Sequence, residues 1–502
     1  MNYRLIALLL LLLFARPALA EQRPNVLIAI SDDQSWPHAS AYGYPAVETP
    51  AFDRVAREGV VFTAAFAPSP GCSPTRAAIL TGRHIWQIEQ AGTHWSSFPS
   101  KYAVYPDVLE QSGYEIGYTG KGWAPGSTKG RRRNPAGPAF NQRGQDYAAN
   151  FDDFLAERPR DAPFVFWYGS KWPHRPYAPG SGERAGIDPA SVEAPPFLPD
   201  TPEVRRDIAD YLFEIQRFDE HLGRMLAALE RAGELDNTLV IVTSDNGMPF
   251  PRAKANLYEY GVHMPLAIRW PARVPANRTV DDLVNLIDLA PTIYEATGVA
   301  APETLPPAGR SLMPLLTAKQ SGVVQPARDA VYFGRERHSS SRYRNWGYPA
   351  RAIRTHDYLY IRNFHPERWP AGAPQAVGEE PHSGYHDIDK CPTLSFLIAH
   401  RNKPEIAPYF ELAVAKRPAE ELFDIRNDPG CLVNLADEPA HSETRAELAQ
   451  RLEDHLRRTG DPRMGDDPEI WETYSRYGAI REFPAPDETS RSWTRKSSER
   501  PQ

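Results

Sequence analysis

Two stretches far apart in the chain follow one pattern, and together they restrict the fold more than any other feature. Residues 25–33 read NVLIAISDD and residues 237–247 read NTLVIVTSDNG. Each is a short apolar run without helical spacing, as expected of a strand buried on both faces. Each ends in two oxygen-bearing side chains, Asp32 with Asp33 and Asp245 with Asn246.

Strands buried on both faces belong to parallel sheets covered by helices. The runs VVFTAAFA (60–67), YEIGYTGK (114–121), PFVFWYGS (163–170) and PLAIRWP (265–271) read as further strands. Helices are expected over residues 51–58, 107–113, 201–233 and 282–298 between or after them. The third is the clearest: Thr201 caps it, Pro202 suits its first turn and Gly233 ends it. Ile208, Leu212, Ile215, Phe218, Leu222, Met225, Leu226 and Leu229 fall on one face, a packing stripe. The expectation is an α/β fold with a mostly parallel sheet flanked by helices, over residues 21–344. Beyond residue 344 the texture changes. ARAIRTHDYLYIRN reads as two strands turning at His356 and Asp357, EELFDIRNDP as another strand, and TRAELAQRLEDHLRRTG as a helix. Residues 345–502 are therefore expected to form a smaller antiparallel sheet with one helix and a loose polar tail.

The start of the chain bears on compartment. Arg4, an apolar run over residues 5–15 and the small residues Ala18 and Ala20 form a secretory signal pattern, too short to span a bilayer as a mature helix. Removal of residues 1–20 takes away Arg4 and Arg16 and moves the net charge from −7 to −7 − 2 = −9. The expected product is exported, periplasmic or secreted, with no stable membrane span. Nothing in that balance suggests nucleic acid. Three cysteines, Cys72, Cys391 and Cys431, cannot all pair in an oxidising compartment. A bridge between Cys391 and Cys431 would leave Cys72 over.

In open α/β sheets, ligands collect at the carboxyl ends of strands. Three carboxylates and one amide oxygen, Asp32, Asp33, Asp245 and Asn246, would make a hard oxygen site there, calcium first and magnesium second. Cys72 opens the stretch CSPTRAAILTGR, which reads as a helix start. A helix N-terminus favours anions and lowers a thiol pKa, with Arg76 one turn further in. The alternative is a buried, inert cysteine.

The ordered set of blocks resembles the formylglycine-dependent type I sulfatases. CSPTRAAILTGR is similar to their Cys-x-Pro-x-Arg signature with its following box. NVLIAISDD, GYTGK, WPHRPY, LVIVTSDNG, DLAPTIYEATG and ELFDIRNDPGCLVNLAD resemble other blocks in the same order. Within the family, TSDNGMPFPRAKANLYEYG and YFGRERHSSSRYRNWGYPARAI resemble the N-sulfoglucosamine sulfohydrolase group. The resemblance implies an alkaline-phosphatase-like fold and removal of sulfate from a sulfated carbohydrate. It implies that a formylglycine-generating enzyme oxidises Cys72 to an aldehyde, whose hydrate attacks sulfur. It implies one divalent cation, calcium, on Asp32, Asp33, Cys72, Asp245 and Asn246. Arg76 would hold the modified residue, Lys121 and Lys254 would contact sulfate oxygens, and His174 would serve the leaving atom. His94, Trp123, His338 and Arg351 are candidates to line the sugar pocket.

One departure stands out. Many family members carry a histidine two residues after the lysine of GK, and here Trp123 holds that place; His84 or His94 could take over. Two other readings stay open: an O-sulfatase on another glycan such as an algal polysaccharide, and a phosphoryl or phosphonate hydrolase of the superfamily. The second needs histidine ligands after the Asp245 pair, which SDNGMPFPRAK lacks.

Overall fold

A computed structural model of the chain describes residues 23–377 and 384–486. The expected signal sequence and the polar tail from residue 487 lie outside the described residues. The apolar runs form one eight-stranded sheet: β1 (Asn25–Ser31), β2 (Val60–Phe66), β3 (Glu115–Gly120), β4 (Phe164–Gly169), β5 (Thr238–Ser244), β6 (His263–Arg269), β7 (Arg278–Val280) and β8 (Val284–Asn285). The order is β8-β2-β6-β5-β1-β4-β3, with β7 also on β2. Only β6 runs antiparallel to its neighbours, β2 and β5. β1 lies central, and every residue of β1 and β5 is buried, as their continuous apolar character requires.

Both faces of the sheet are covered. On one, Leu27, Phe166, Val240 and Val242 pack against Phe218, Leu222, Met225 and Leu229 of the long helix Pro202–Ala232. Thr201 accepts the Val204 N–H at 3.4 Å, and Gly233 closes the helix at φ 71°, so both ends form as expected. On the other face, Val26, Ile28, Ile30, Val165 and Ile241 share a core with Ile79 and Leu80 of α1 (Cys72–Thr81).

The smaller sheet is antiparallel, in the order β9 (Val331–Arg335), β10 (Ala350–Arg354), β11 (Tyr358–Asn363), β12 (Glu420–Asp424). It already begins at Val331, ahead of the boundary expected after residue 344, because β9 pairs along the whole of β10. Helix Ser442–Arg458 lays Leu448, Leu452 and Leu456 against Ile353, Tyr360 and Leu422 of this sheet.

Two local expectations are corrected. The helix expected over residues 282–298 starts only at Leu289. Ahead of it Val284 and Asn285 pair with β2, and Asn285 Oδ1 accepts the Ile287 N–H at 3.1 Å in a local turn. Pro291, which has no N–H, is tolerated only in the first turn of the helix that follows. Cys391 and Cys431 do not pair: both are buried free thiols in separate apolar clusters. Cys391 instead accepts the Leu394 N–H through Sγ at 3.3 Å, capping helix Pro392–His400. Among the described residues no helix is long and apolar enough to cross a membrane.

Candidate active site

The parallel pairing of β1 with β5 sets Ser31 opposite Ser244, so the chain leaves both strands at the same level. Asp32, Asp33, Asp245 and Asn246 follow directly and are all buried. Asp33 takes φ 76°, a left-handed conformation that aspartate tolerates better than most residues. Its N–H donates to Asp245 Oδ1 at 3.2 Å, and Asn246 Nδ2 donates to Asp33 Oδ1 at 2.6 Å. The two acidic strand ends, distant in sequence, are one cluster.

Three cations meet the three acids. Arg76 Nε donates to Asp245 Oδ2 at 2.6 Å, Lys121 Nζ to Asp32 Oδ2 at 2.6 Å, and Lys254 Nζ to Asp33 Oδ1. Burial pushes the Asp32 carboxyl up, but Lys121, with His174, Arg76 and Lys254 behind it, holds it well below the usual carboxylate range. Burial, with Asp32 beside it, pushes Asp245 up to about 6. Burial pulls both lysines down, and their carboxylates, Asp32 for Lys121 and Asp33 for Lys254, outweigh it and keep them charged. Lys121 reaches this position because β3 ends beside β4. A Cβ on Gly169 would lie 1.8 Å from the Lys121 carbonyl oxygen, so only glycine admits the chain there.

The donor set fits a hard divalent cation. Asp32 Oδ1, Asp33 Oδ2 and Asn246 Oδ1 are buried oxygens without a hydrogen-bond partner. Buried acceptors left in that state cost stability unless something occupies them. One ligand atom from each of Asp32, Cys72 and Asp245 falls within 4.8 Å of the others.

Cys72 is the first residue of α1, entered through the extended Gly71. Thr75 Oγ1 donates to the Ser69 carbonyl at 2.7 Å and ties the preceding turn to the helix start. The expected lowering of the thiol pKa does not occur. Burial pushes it up to about 11, and the nearby Lys121 recovers only part of that shift. As a thiol, Cys72 is a poor nucleophile.

His94 lies against it. Cys72 Sγ and His94 Nε2 are 3.2 Å apart, and His94 Nδ1 is 3.1 Å from the His338 carbonyl oxygen. A carbonyl only accepts, so Nδ1 carries the proton and Nε2 turns its lone pair to Cys72. Burial lowers the His94 pKa well below the ordinary imidazole value, with His338 adding to it. His84, the other candidate, stacks on Trp86 at 4.4 Å and meets His455 in a different cluster. His174 Nδ1 is 2.6 Å from the Arg175 carbonyl, and its Nε2 is 3.9 Å from Asp33 Oδ2.

The proposed sugar-lining residues fare differently. His338 is largely buried and stacks on His94 at 4.4 Å, and it lines a small cavity with Ser69, Gly71 and Ala255. Trp123 is buried in the main core, donating Nε1–H to the Ser73 carbonyl at 3.0 Å. Arg351 is fully buried and spends its N–H groups on Asp461, Glu336 and the carbonyls of Arg335 and Ala350. Its guanidinium has nothing left for a ligand. Trp123 and Arg351 are structural residues here.

Two acids carried no signal in the sequence. Asp207, on the long helix, takes both Nη groups of Arg175 at 2.8 and 2.9 Å and fixes the strap that bears His174. Asp389, in an irregular segment, comes within 3.6 Å of Lys254 Nζ.

Known proteins share this arrangement of elements. The sulfatase family model matches residues 24–299, and the model described as N-sulphoglucosamine sulphohydrolase, C-terminal, matches residues 252–382. N-sulphoglucosamine sulphohydrolase of Homo sapiens is 28% identical over 481 residues, covering 87% of this chain and 90% of its own. An ulvan-active sulfatase of Formosa agariphila is 26% identical over 485 residues, covering 88% of this chain and 76% of its own. A solved structure of a protein in complex with its substrate D-glucosamine-2-N,6-O-disulfate has a TM-score of 0.63 at 22% identity, over 89% of this chain and 100% of that one. The last likeness is one of fold, and it agrees with the expected alkaline-phosphatase-like architecture.

The role of Arg351 has a direct check. Arg351→Ala strands buried Asp461 and lowers stability in denaturant unfolding by about 3–5 kcal/mol, the cost of breaking a buried ion pair.

Proposed function

The chain belongs to the sulfatase family, and we propose that it removes the sulfo group from a sulfated carbohydrate, with N-sulfoglucosamine as the leading substrate. The reading takes an aldehyde derived from Cys72 and one calcium ion as its reactive groups. The observation that carries it is the setting of Cys72: a neutral thiol, inert as it stands, at a helix start beside strand-end acids, two lysines and a histidine lone pair. Similarity to N-sulphoglucosamine sulphohydrolase along most of the chain, including the stretch over residues 252–382, supports the N-sulfo substrate. Similarity of equal extent to an ulvan-active sulfatase supports the second reading, an O-sulfatase on another glycan.

Asp32, Asp33 and Asn246 would hold the cation through the oxygens that lack other partners, and Asp245, whose two oxygens already accept from Asp33 and Arg76, would complete the set with the modified Cys72. Calcium in this site supplies positive charge against the sulfo oxygens. The aldehyde, once hydrated, supplies a hydroxyl as nucleophile toward sulfur. Three acids already balance three cations, so the bound ion leaves the site net positive, which suits a dianionic transition state. Lys121 and Lys254 neutralise developing charge on the sulfo oxygens, and Arg76 holds the Cys72 position. His174 has Nδ1 committed to a carbonyl, so its Nε2 is the atom that serves the leaving nitrogen or oxygen. His94 Nε2 accepts the proton of the hydroxyl at Cys72, in place of the histidine that Trp123 displaces.

Export through the signal at residues 1–20 and conversion of Cys72 by a formylglycine-generating enzyme complete the proposal. Sulfate release from defined sulfated mono- and disaccharides tests it: N-sulfoglucosamine is cleaved and O-sulfated sugars are not. Peptide mass spectrometry of the active enzyme finds an aldehyde at Cys72, and Cys72→Ala abolishes turnover; an unmodified thiol in active enzyme would sink the mechanism. Calcium added to metal-free protein raises the melting temperature by several degrees, because it binds only the folded state; Asn246→Ala reduces that shift. His94→Ala lowers kcat by about 10²–10³-fold, the scale of a lost general base. It keeps the calcium-induced shift in melting temperature, and His84→Ala leaves kcat unchanged.

A further inference from the structure

Asp389 is a carboxylate that the proposed metal and cation pairs do not account for. It sits just ahead of helix Pro392–His400, whose first turn is fastened to the body of the protein. Thr393 donates its N–H and Oγ1–H to Asp207 Oδ2 at 3.2 and 2.6 Å, and the same Asp207 holds Arg175. Asp389 and His174 are therefore positioned from one anchor. One ligand atom from each of Asp33, His174 and Asp389 falls within 4.8 Å of the others.

Its environment differs from that of the strand-end acids. The Asp33 side chain is wholly buried, whereas that of Asp389 is 31% exposed and so can be reached from solvent. Its nearest cation, Lys254 Nζ at 3.6 Å, already donates to Asp33. Its Oδ2 is shut off from water on the side of Lys254, so the exposed remainder of the carboxylate is the part that a ligand can reach. A carboxylate only accepts, so that ligand must bring a donor. A second cation bridging Asp33, His174 and Asp389 would share Asp33 with the first and lie against the Lys254 ammonium, with Asp389 the one further carboxylate to offset it, and is disfavoured by charge. A sulfo group is excluded for the opposite reason, since it would face a carboxylate. What remains is the uncharged half of the substrate, next to the atom that His174 serves.

We propose that Asp389 determines specificity by accepting a hydrogen bond from a sugar hydroxyl on a carbon adjacent to the one bearing the scissile sulfo group. The inference rests on the sulfated-sugar reading above. It gives the site a polarity: cations toward the sulfo group, a carboxylate toward the sugar. It also means that a second sulfo group on that adjacent hydroxyl is rejected by charge.

Binding measured without turnover tests this separately from catalysis. In calcium-loaded Cys72→Ala protein, calorimetry compares N-sulfoglucosamine with inorganic sulfate. Adding Asp389→Ala weakens the sugar by about 10–100-fold, the scale of a hydrogen bond to a charged group, while sulfate affinity does not fall. Asp389→Asn, which keeps an acceptor oxygen, loses less than Asp389→Ala. Equal losses for sugar and sulfate would mean a structural role and overturn the proposal. So would unchanged sugar affinity, or a parent protein that binds the sugar no better than sulfate. Asp389-dependent sugar binding in a protein whose unmutated, Cys72-converted form releases no sulfate would uphold the inference and remove the catalytic reading instead.

Discussion

The parallel pairing of β1 with β5 is the constraint on which the rest of the site depends. Ser31 and Ser244 end their strands opposite each other, so four oxygen-bearing side chains from two distant segments arrive together in a buried space. A shift of one residue along either strand would turn alternate side chains to the other face and scatter the cluster. Burial on both faces of the sheet, by the long helix on one side and α1 on the other, keeps that register in place. The three acids then need the three cations, because unpaired charges at this depth are costly. Each cation comes from a different element: Arg76 from α1, Lys121 from the end of β3, and Lys254 from the loop after β5.

The features that could be read in the sequence are those that repeat or punctuate. The apolar runs of β1 and β5, the spacing along the long helix with its Thr201 and Gly233 ends, and the alternating strands around His356 all state their own geometry. So does the placing of acids at strand ends, since it follows from topology alone. The contact of His94 with Cys72 has no such signature. It is made by an irregular loop and by a carbonyl, that of His338, whose position depends on the smaller sheet. Arg351 shows the reverse: a conspicuous arginine in a suggestive block proves to be neutralised by Glu336 and by Asp461, which lies far along the chain. Asp389 leaves no mark in the sequence because a single acid in irregular chain has no period and no motif. Between the two readings of the Cys72 thiol the structure favours the buried, inert one, because burial, which no local pattern measures, outweighs the helix terminus.

The smaller sheet is more than an appendage to this site. His338 follows β9 directly, and the loop carrying His94 is gripped from the same side: Ser96 Oγ donates to the Ser475 carbonyl at 3.0 Å, and the Tyr477 N–H donates to the Trp95 carbonyl at 2.7 Å. The histidine beside Cys72 is thus aligned by chain that comes from the far end of the sequence. Where Trp123 fills the core beneath α1, the imidazole beside Cys72 is held across a boundary between two sheets instead of from within one.

That arrangement limits what can touch the sulfur. Cys72 lies under His94, and behind His94 stand His338 and the C-terminal segments that hold the loop. Another protein that must reach the sulfur has access only while this wall is unbuilt. The fold is therefore a shield as well as a scaffold: in the folded chain Cys72 is 2% exposed, out of reach of another protein's surface.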